Sequence, residues 1–414
     1  MIYKQLKELV KSVDVKNTDG GITRVIGVSI TKNFIPSVAN LNGVDLTKYN
    51  LIKKNQFACK LMSVGRDLQL PIDLYKEESV ALISSAYYVF EVINENIILP
   101  DYLNMWFRRS ETDRWVGYIS GGDVRGGISW EMFLEMKVSV PPIDEQRQIV
   151  TQYKSIANKI KINKQICEKL EATAQALYKH WFVDFEFPNE NGQPYKSSGG
   201  KMVWNEELGK DIPECWEVGK LGQICEFIDG DRGATYPNGN DFSENDFCLF
   251  LNAGNVTRNG FDFNLCSFIS KEKDSLLRKG KLKRNDIVLT SRGTVGNIAF
   301  YSDYIEFEDI RINSGMLILR PVIKPTFIYS LLKSYEFSKL IENYISGSAV
   351  PQLPIKDLSI INILKANESI MNIFSDEVKS KYDLIDSLKN QNQKLTQLQS
   401  LLLSRLAVGE EIEA

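Results

Sequence analysis

With one polar break at Asn163, apolar residues recur at alternating steps of four and three from Ile149 to Trp181: Ile149, Tyr153, Ile156, Ile160, Asn163, Cys167, Leu170, Ala174, Leu177 and Trp181. No Pro or Gly interrupts the run. This heptad seam predicts one long helix that needs a partner along its length. Adding 225 to each number gives Phe374, Val378, Lys381, Ile385, Leu388, Asn392, Leu395, Gln399, Leu402 and Leu406, a second seam in the same phase. Agreement in phase over more than four turns is uncommon by chance, so the partner is expected within the same chain.

Other segments repeat as well, the first two at the same spacing of about 225. YISG at Tyr118–Gly121 returns at Tyr344–Gly347, and LPDYLNMWFRR from Leu99 resembles KPTFIYSLLKS from Lys324. KKNQF from Lys53 answers KRNDI from Lys283, while Leu6, Leu9, Val13 and Asp14 align with Leu221, Ile224, Ile228 and Asp229. One unit is therefore written twice. Residues 1–142 read as mixed α/β, 143–183 as the first long helix, 184–366 as a linker and second globular unit, and 367–414 as the second long helix with an acidic tail. The stretch DFEFPNENGQPYKSSGGK from Asp184 carries the Gly, Pro, Ser and Asn of a linker. Because the second unit lies between the two helices in sequence, and domain termini tend to lie close together, the helices are expected to run antiparallel as a coiled coil. At 1.5 Å per residue each seam would be roughly 50 Å long.

With 414 residues, 43% of them apolar and 25% charged, the chain has enough material for several packed cores. No apolar run approaches a membrane span and the N-terminus lacks a signal peptide's apolar core, so a cytoplasmic location without membrane contact is expected. The six cysteines show no CxxC spacing and His180 is the only histidine, which disfavours a structural zinc site. Net charge is only −3, yet eight Lys or Arg fall between Lys271 and Arg292.

Catalytic motifs are scarce in the chain. There is no phosphate-cradling GxxxxGK[ST] loop and no Pro-Pro-aromatic cluster of an adenine methyltransferase. Asp123 followed by Glu135 and Lys137 could form a Mg²⁺-dependent nuclease site, but its second-copy positions hold Ala349 and Ile360. Loops carrying Arg, Lys and Gln remain: Lys60, Arg66 and Arg125 in the first unit, and Arg232, Arg292, Arg311 and Gln352 in the second. These side-chain types can pair with guanine and adenine edges. Two diverged heads predict a reader of two different half-sites. Further apolar positions beside the seams (Ile162, Ile166, Tyr178, Leu384, Leu398, Leu401 and Leu403) widen the stripe beyond what a two-helix pair buries, which predicts additional helices from a partner.

PPIDEQRQIV before the first long helix, IPECWEVGKLGQI opening the second unit, DGDRGATYP, SRGTVGNIAFY and LLLSRLAVGE together resemble the specificity subunit of a Type I restriction-modification enzyme over essentially the whole chain. The resemblance implies an α/β protein with two similar target recognition domains joined by two long antiparallel helices, binding double-stranded DNA and holding no catalytic site or cofactor of its own. It also implies two methyltransferase subunits using S-adenosylmethionine, and restriction subunits using ATP and Mg²⁺. A nuclease in its own right and a coiled-coil scaffold without a DNA role are the rival readings. The sequence departs from the family pattern where KANESIMNIF stands in place of a second PPxxEQxxIV.

Overall fold

The computed structural model describes residues 2–62, 64–121, 126–347 and 350–406. It separates into two compact units, Met1–Lys161 with Gln393–Ala414, and Ile162–Asn392. The predicted repeat reappears in both. In the first unit an antiparallel sheet runs Val10–Ser12, Tyr88–Val92, Gln56–Cys59, Ile72–Leu74. A second sheet runs Phe34–Pro36, Val25–Val28, Ala81–Ile83, Asn50–Ile52, with its middle pair parallel. In the second unit the corresponding sheets are Cys225–Asp229, Met316–Pro321, Ile287–Thr290, Ile298–Phe300, and Phe268–Ile269, Cys248–Leu251, Ile310–Ile312, again with one parallel pairing. Each unit also closes a short antiparallel ribbon, Ile2–Gln5 on Lys137–Val140 and Glu217–Lys220 on Asn362–Lys365. The helices Pro100–Phe107, Ser110–Ile119 and Trp130–Leu134 are matched by Pro325–Lys333, Tyr335–Glu342 and Ile355–Ser359.

The repeated motifs have physical reasons. In KKNQF and KRNDI the Asn is the left-handed residue, Asn55 at φ 65° and Asn285 at φ 71°, a conformation its short polar side chain tolerates. The residue after it caps the turn, with Gln56 Oε1 accepting from Lys53 N at 2.9 Å and Asp286 Oδ2 from Lys283 N at 2.7 Å. Leu6 N donates to Met136 O and Leu221 N to Ile361 O, which fastens the start of each unit to its end. The Gln of PPIDEQ is fully buried and stitches the first long helix to its head: Gln146 accepts from Leu99 N and donates to the carbonyls of Ile97 and Pro141. Its second-copy position holds buried Met371, so the departure from the motif replaces a polar stitch with an apolar contact.

The long helices span Ile143–Tyr178, extended by a π-helical turn Lys179–Val183, and Glu368–Arg405. Asn367 opens the second, its side chain accepting from Ile370 N at 3.0 Å. Every predicted seam position, Ile149 to Trp181 and Phe374 to Leu406, is buried or half-buried. Within the first unit Ile149, Val150 and Tyr153 share a core with Leu403 and Leu406. Within the second, Asn163 Nδ2 reaches Gln391 and Asn392 at 2.7 and 2.9 Å, and Tyr178 meets Phe374 at 5.9 Å between ring centroids. Numbering rises along one helix as it falls along the other, as an antiparallel pair requires.

The stretch from Asp184, predicted to be a linker, is packed instead. Phe187 stacks on Tyr195 and on Trp216, each at 4.6 Å between centroids, and Phe185 meets Trp216 edge-on. These rings join the main core of the second unit with Tyr178 and Phe182.

Candidate nucleic-acid interface

In each unit the loop after the same strand is laced to a second loop by backbone bonds. After Ile287–Thr290, Gly293 N donates to Pro351 O and Leu353 N to Ser291 O, both at 2.9 Å. This pairing places exposed Arg292 opposite exposed Gln352, whose Oε1 lies 3.5 Å from the guanidinium. A third loop arrives at Gly315, whose carbonyl accepts from Ser291 N and Arg292 N. Arg232 reaches Ser314 O at 3.3 Å and pairs with Asp229. Three of the four second-unit residues picked out from sequence therefore converge on one surface.

Arg311 is a correction. It is only 7% exposed, and its guanidinium donates to Asp274 Oδ1 at 2.6 Å and to the carbonyls of Lys279, Asp274 and Leu277 at 2.6, 2.9 and 3.0 Å. Its donors are consumed inside the fold, so it cannot read a base.

In the first unit the loop after Gln56–Cys59 is laced likewise, Gly65 N to Gly126 O and Ile128 N to Leu61 O. Half-buried Lys60 sits 6.0 Å from the Tyr87 ring centroid. Exposed Arg66 forms a two-pronged pair with Asp67 at 2.7 and 3.1 Å. Arg125 lies outside the described residues, as does Asp123 of the nuclease-like triad. Among the described residues no group of three His, Cys, Asp or Glu is placed to hold a metal ion. Nor is any described helix long and apolar enough to cross a membrane.

The basic segment from Lys271 to Arg292 sorts into two kinds. Lys273 pairs with Asp241, Lys281 with Asp274 and Asp309, and Arg284 holds the carbonyls of Ser302 and Ile305. Arg278 and Lys279 are exposed, and sequence reasoning did not single them out. The signal that would have found them is Asp231, two residues beyond the strand end. Its carboxylate accepts from the backbone N–H of Arg232, Arg278 and Lys279 at 2.7, 2.5 and 3.3 Å. Burial works against its charge, yet those donors hold its pKa below the ordinary carboxylate value.

Of the predicted docking stripe, Ile162, Ile166 and Leu384 in the second unit and Leu398 and Leu401 in the first are exposed. Tyr178 is a correction. At 8% exposure it is enclosed by Phe182, Phe327 and Phe374 of its own unit. Leu403 is half-buried against the first unit's core.

Comparison with known proteins adds the family context. The profile described as "Type I restriction modification DNA specificity domain" matches residues 4–172 and 213–397. The Type I restriction enzyme MjaIX specificity subunit of Methanocaldococcus jannaschii is 26% identical over 324 residues, 77% of this chain and 71% of that protein. The HindI specificity subunit of Haemophilus influenzae is 24% identical over 426 residues, 90% of each. The crystal structure of a Type I restriction-modification S subunit from M. genitalium superposes with a TM-score of 0.54 at 14% identity, covering 98% of this chain and 95% of that one.

Proposed function

The chain belongs to the Type I restriction modification DNA specificity family, and from that premise we propose that it reads a bipartite, asymmetric DNA target and docks two methyltransferase subunits, with no catalysis of its own. The observation that carries the two-part reading is that laced loops in the same place of each unit differ in chemistry. Arg292 beside Gln352 offers donors for guanine and an amide for adenine. The first unit offers Lys60 and Arg66. Identical loops would read a palindrome; different ones read different half-sites. S-adenosylmethionine, ATP and Mg²⁺ chemistry would belong to partner subunits.

The test is methylation mapping in a host that expresses the chain with its methyltransferase subunit. A single motif of two unlike halves around a fixed gap is expected, and a palindrome or an absence of motif would overturn the reading. Arg292→Ala with Gln352→Ala should relax one half only, each lost bidentate pair costing about 1–3 kcal/mol of discrimination. The exposed leucines near the end of the second long helix are proposed to take a methyltransferase helix. Leu398→Glu with Leu401→Glu should abolish co-purification with that subunit while leaving the thermal melt of the chain within a few degrees, since both side chains already face solvent. Intact co-purification would place the docking surface elsewhere.

A further inference from the structure

The turn Leu277–Gly280 is held from both sides by buried ionic groups, an unusual investment for an exposed loop. On one side Arg311 binds the carbonyls of Leu277 and Lys279. On the other the Asp231 carboxylate binds the N–H groups of Arg278 and Lys279. Gly280, at φ 82°, closes the turn so tightly that a Cβ there would lie 3.3 Å from the Gly230 Cα, and a Cβ on Gly230 would lie 2.1 Å from Asn313 O. Three segments, around Gly230, Gly280 and Asn313, are thus pressed together by backbone approach. Within the turn itself both clamps hold backbone atoms, and the Arg278 and Lys279 side chains stay exposed and form no hydrogen bond or ion pair among the described residues. Arg232 leaves the same carboxylate on the adjoining segment and reaches Ser314 beside the Arg292 loop.

We propose that Arg278 and Lys279 form a rigid cationic ridge that grips the DNA phosphate backbone next to the base-reading loops of the second unit, with Asp231 as the residue that positions it. Cations on a pre-ordered turn lose less freedom on binding than cations on a mobile loop, and phosphate contacts fix register without reading sequence. In the first unit the stretch leading into KKNQF is tied instead by buried Asn17, which donates to the carbonyls of Ile22 and Leu46. The second unit therefore carries this grip through a device of its own.

The inference rests on the DNA-reading assignment, and the experiment separates the two. The full chain assembled with its methyltransferase subunit is titrated against a labelled mixed-sequence duplex at several salt concentrations, and the methylated motif is mapped in parallel. Each phosphate neutralised contributes about −0.9 to the slope of log affinity against log salt. Arg278→Gln with Lys279→Gln should therefore make the slope shallower by about 1.8 while the methylated motif stays the same. Asp231→Asn should move the slope in the same direction with both cations still present, which a merely structural role would not do in a complex whose melting temperature is retained. An unchanged slope in the double variant overturns the ridge. A changed motif overturns the phosphate role and makes these side chains base readers. Failure of the unsubstituted complex to bind the duplex would overturn the DNA-reading assignment itself.

Discussion

Replacing Arg311 with Ala is expected to destabilise the second unit by about 3 kcal/mol or more, the range in which removal of one partner strands a buried charge. Four hydrogen bonds are lost at once, three of them to carbonyls, of which Asp274 O still accepts from Leu277 N. Asp274 keeps Lys281 at 2.6 Å, which holds the expected loss toward the low end of that range. Arg311→Lys should recover only part of it, because a point ammonium can face Asp274 but cannot span three carbonyls as a planar fork does. Urea titration followed by limited proteolysis checks both: the midpoint should fall, and cleavage should concentrate between 274 and 281, where the freed carbonyls lie. A loss under about 1 kcal/mol would mean that water replaces the guanidinium at little cost, contrary to the burial penalty expected there.

The fate of Arg311 shows where sequence reasoning stops. Heptad spacing is a one-dimensional property, and every seam residue was found withdrawn from solvent. The KxN turns and the repeat offset were legible for the same reason, since a left-handed Asn and its cap act within a few residues. From sequence Arg311 belongs with the loop Arg, Lys and Gln residues able to pair with base edges, because residue type alone carries no sign of burial. Its strand, Ile310–Ile312, instead pairs in parallel with Cys248–Leu251 and is buried on both faces, a fact set by a strand some sixty positions away in sequence. Tyr178 failed similarly. A wide apolar stripe says that something covers the helix, and for this residue the cover is Phe327 and Phe374 of the same unit, not a partner. In the supposed linker, Gly, Ser and Pro outweighed Phe185, Phe187 and Tyr195, although three aromatic rings within eleven residues signal packing more strongly than the small residues signal freedom. Of the proposed reading surface, the residue types were legible; which of them converge was not, because the lacing of the Arg292 loop to the Gln352 loop depends on backbone bonds between segments about sixty residues apart.

Exchange of the first head for that of a relative should rewrite one half of the methylated motif and preserve the other. The cleanest sequence boundary lies at Pro142, but the structure shows that the cut crosses a core. Gln146 holds Ile97 O, Leu99 N and Pro141 O, Val150 and Leu406 are buried among first-unit residues, and Lys154 pairs with Asp101 at 2.6 Å. A donor head that matches these groups should fold on the recipient helix. One that presents a larger side chain against Val150 or Leu406 should cost about 1–3 kcal/mol from overpacking. Among donors that assemble, the half-site proposed for Arg292 and Gln352 is expected to remain unchanged, because those residues and their backbone lacing lie entirely within 162–392. Methylation mapping of the hybrid decides the matter: change in both halves, or in neither, would mean that the two units do not read independently.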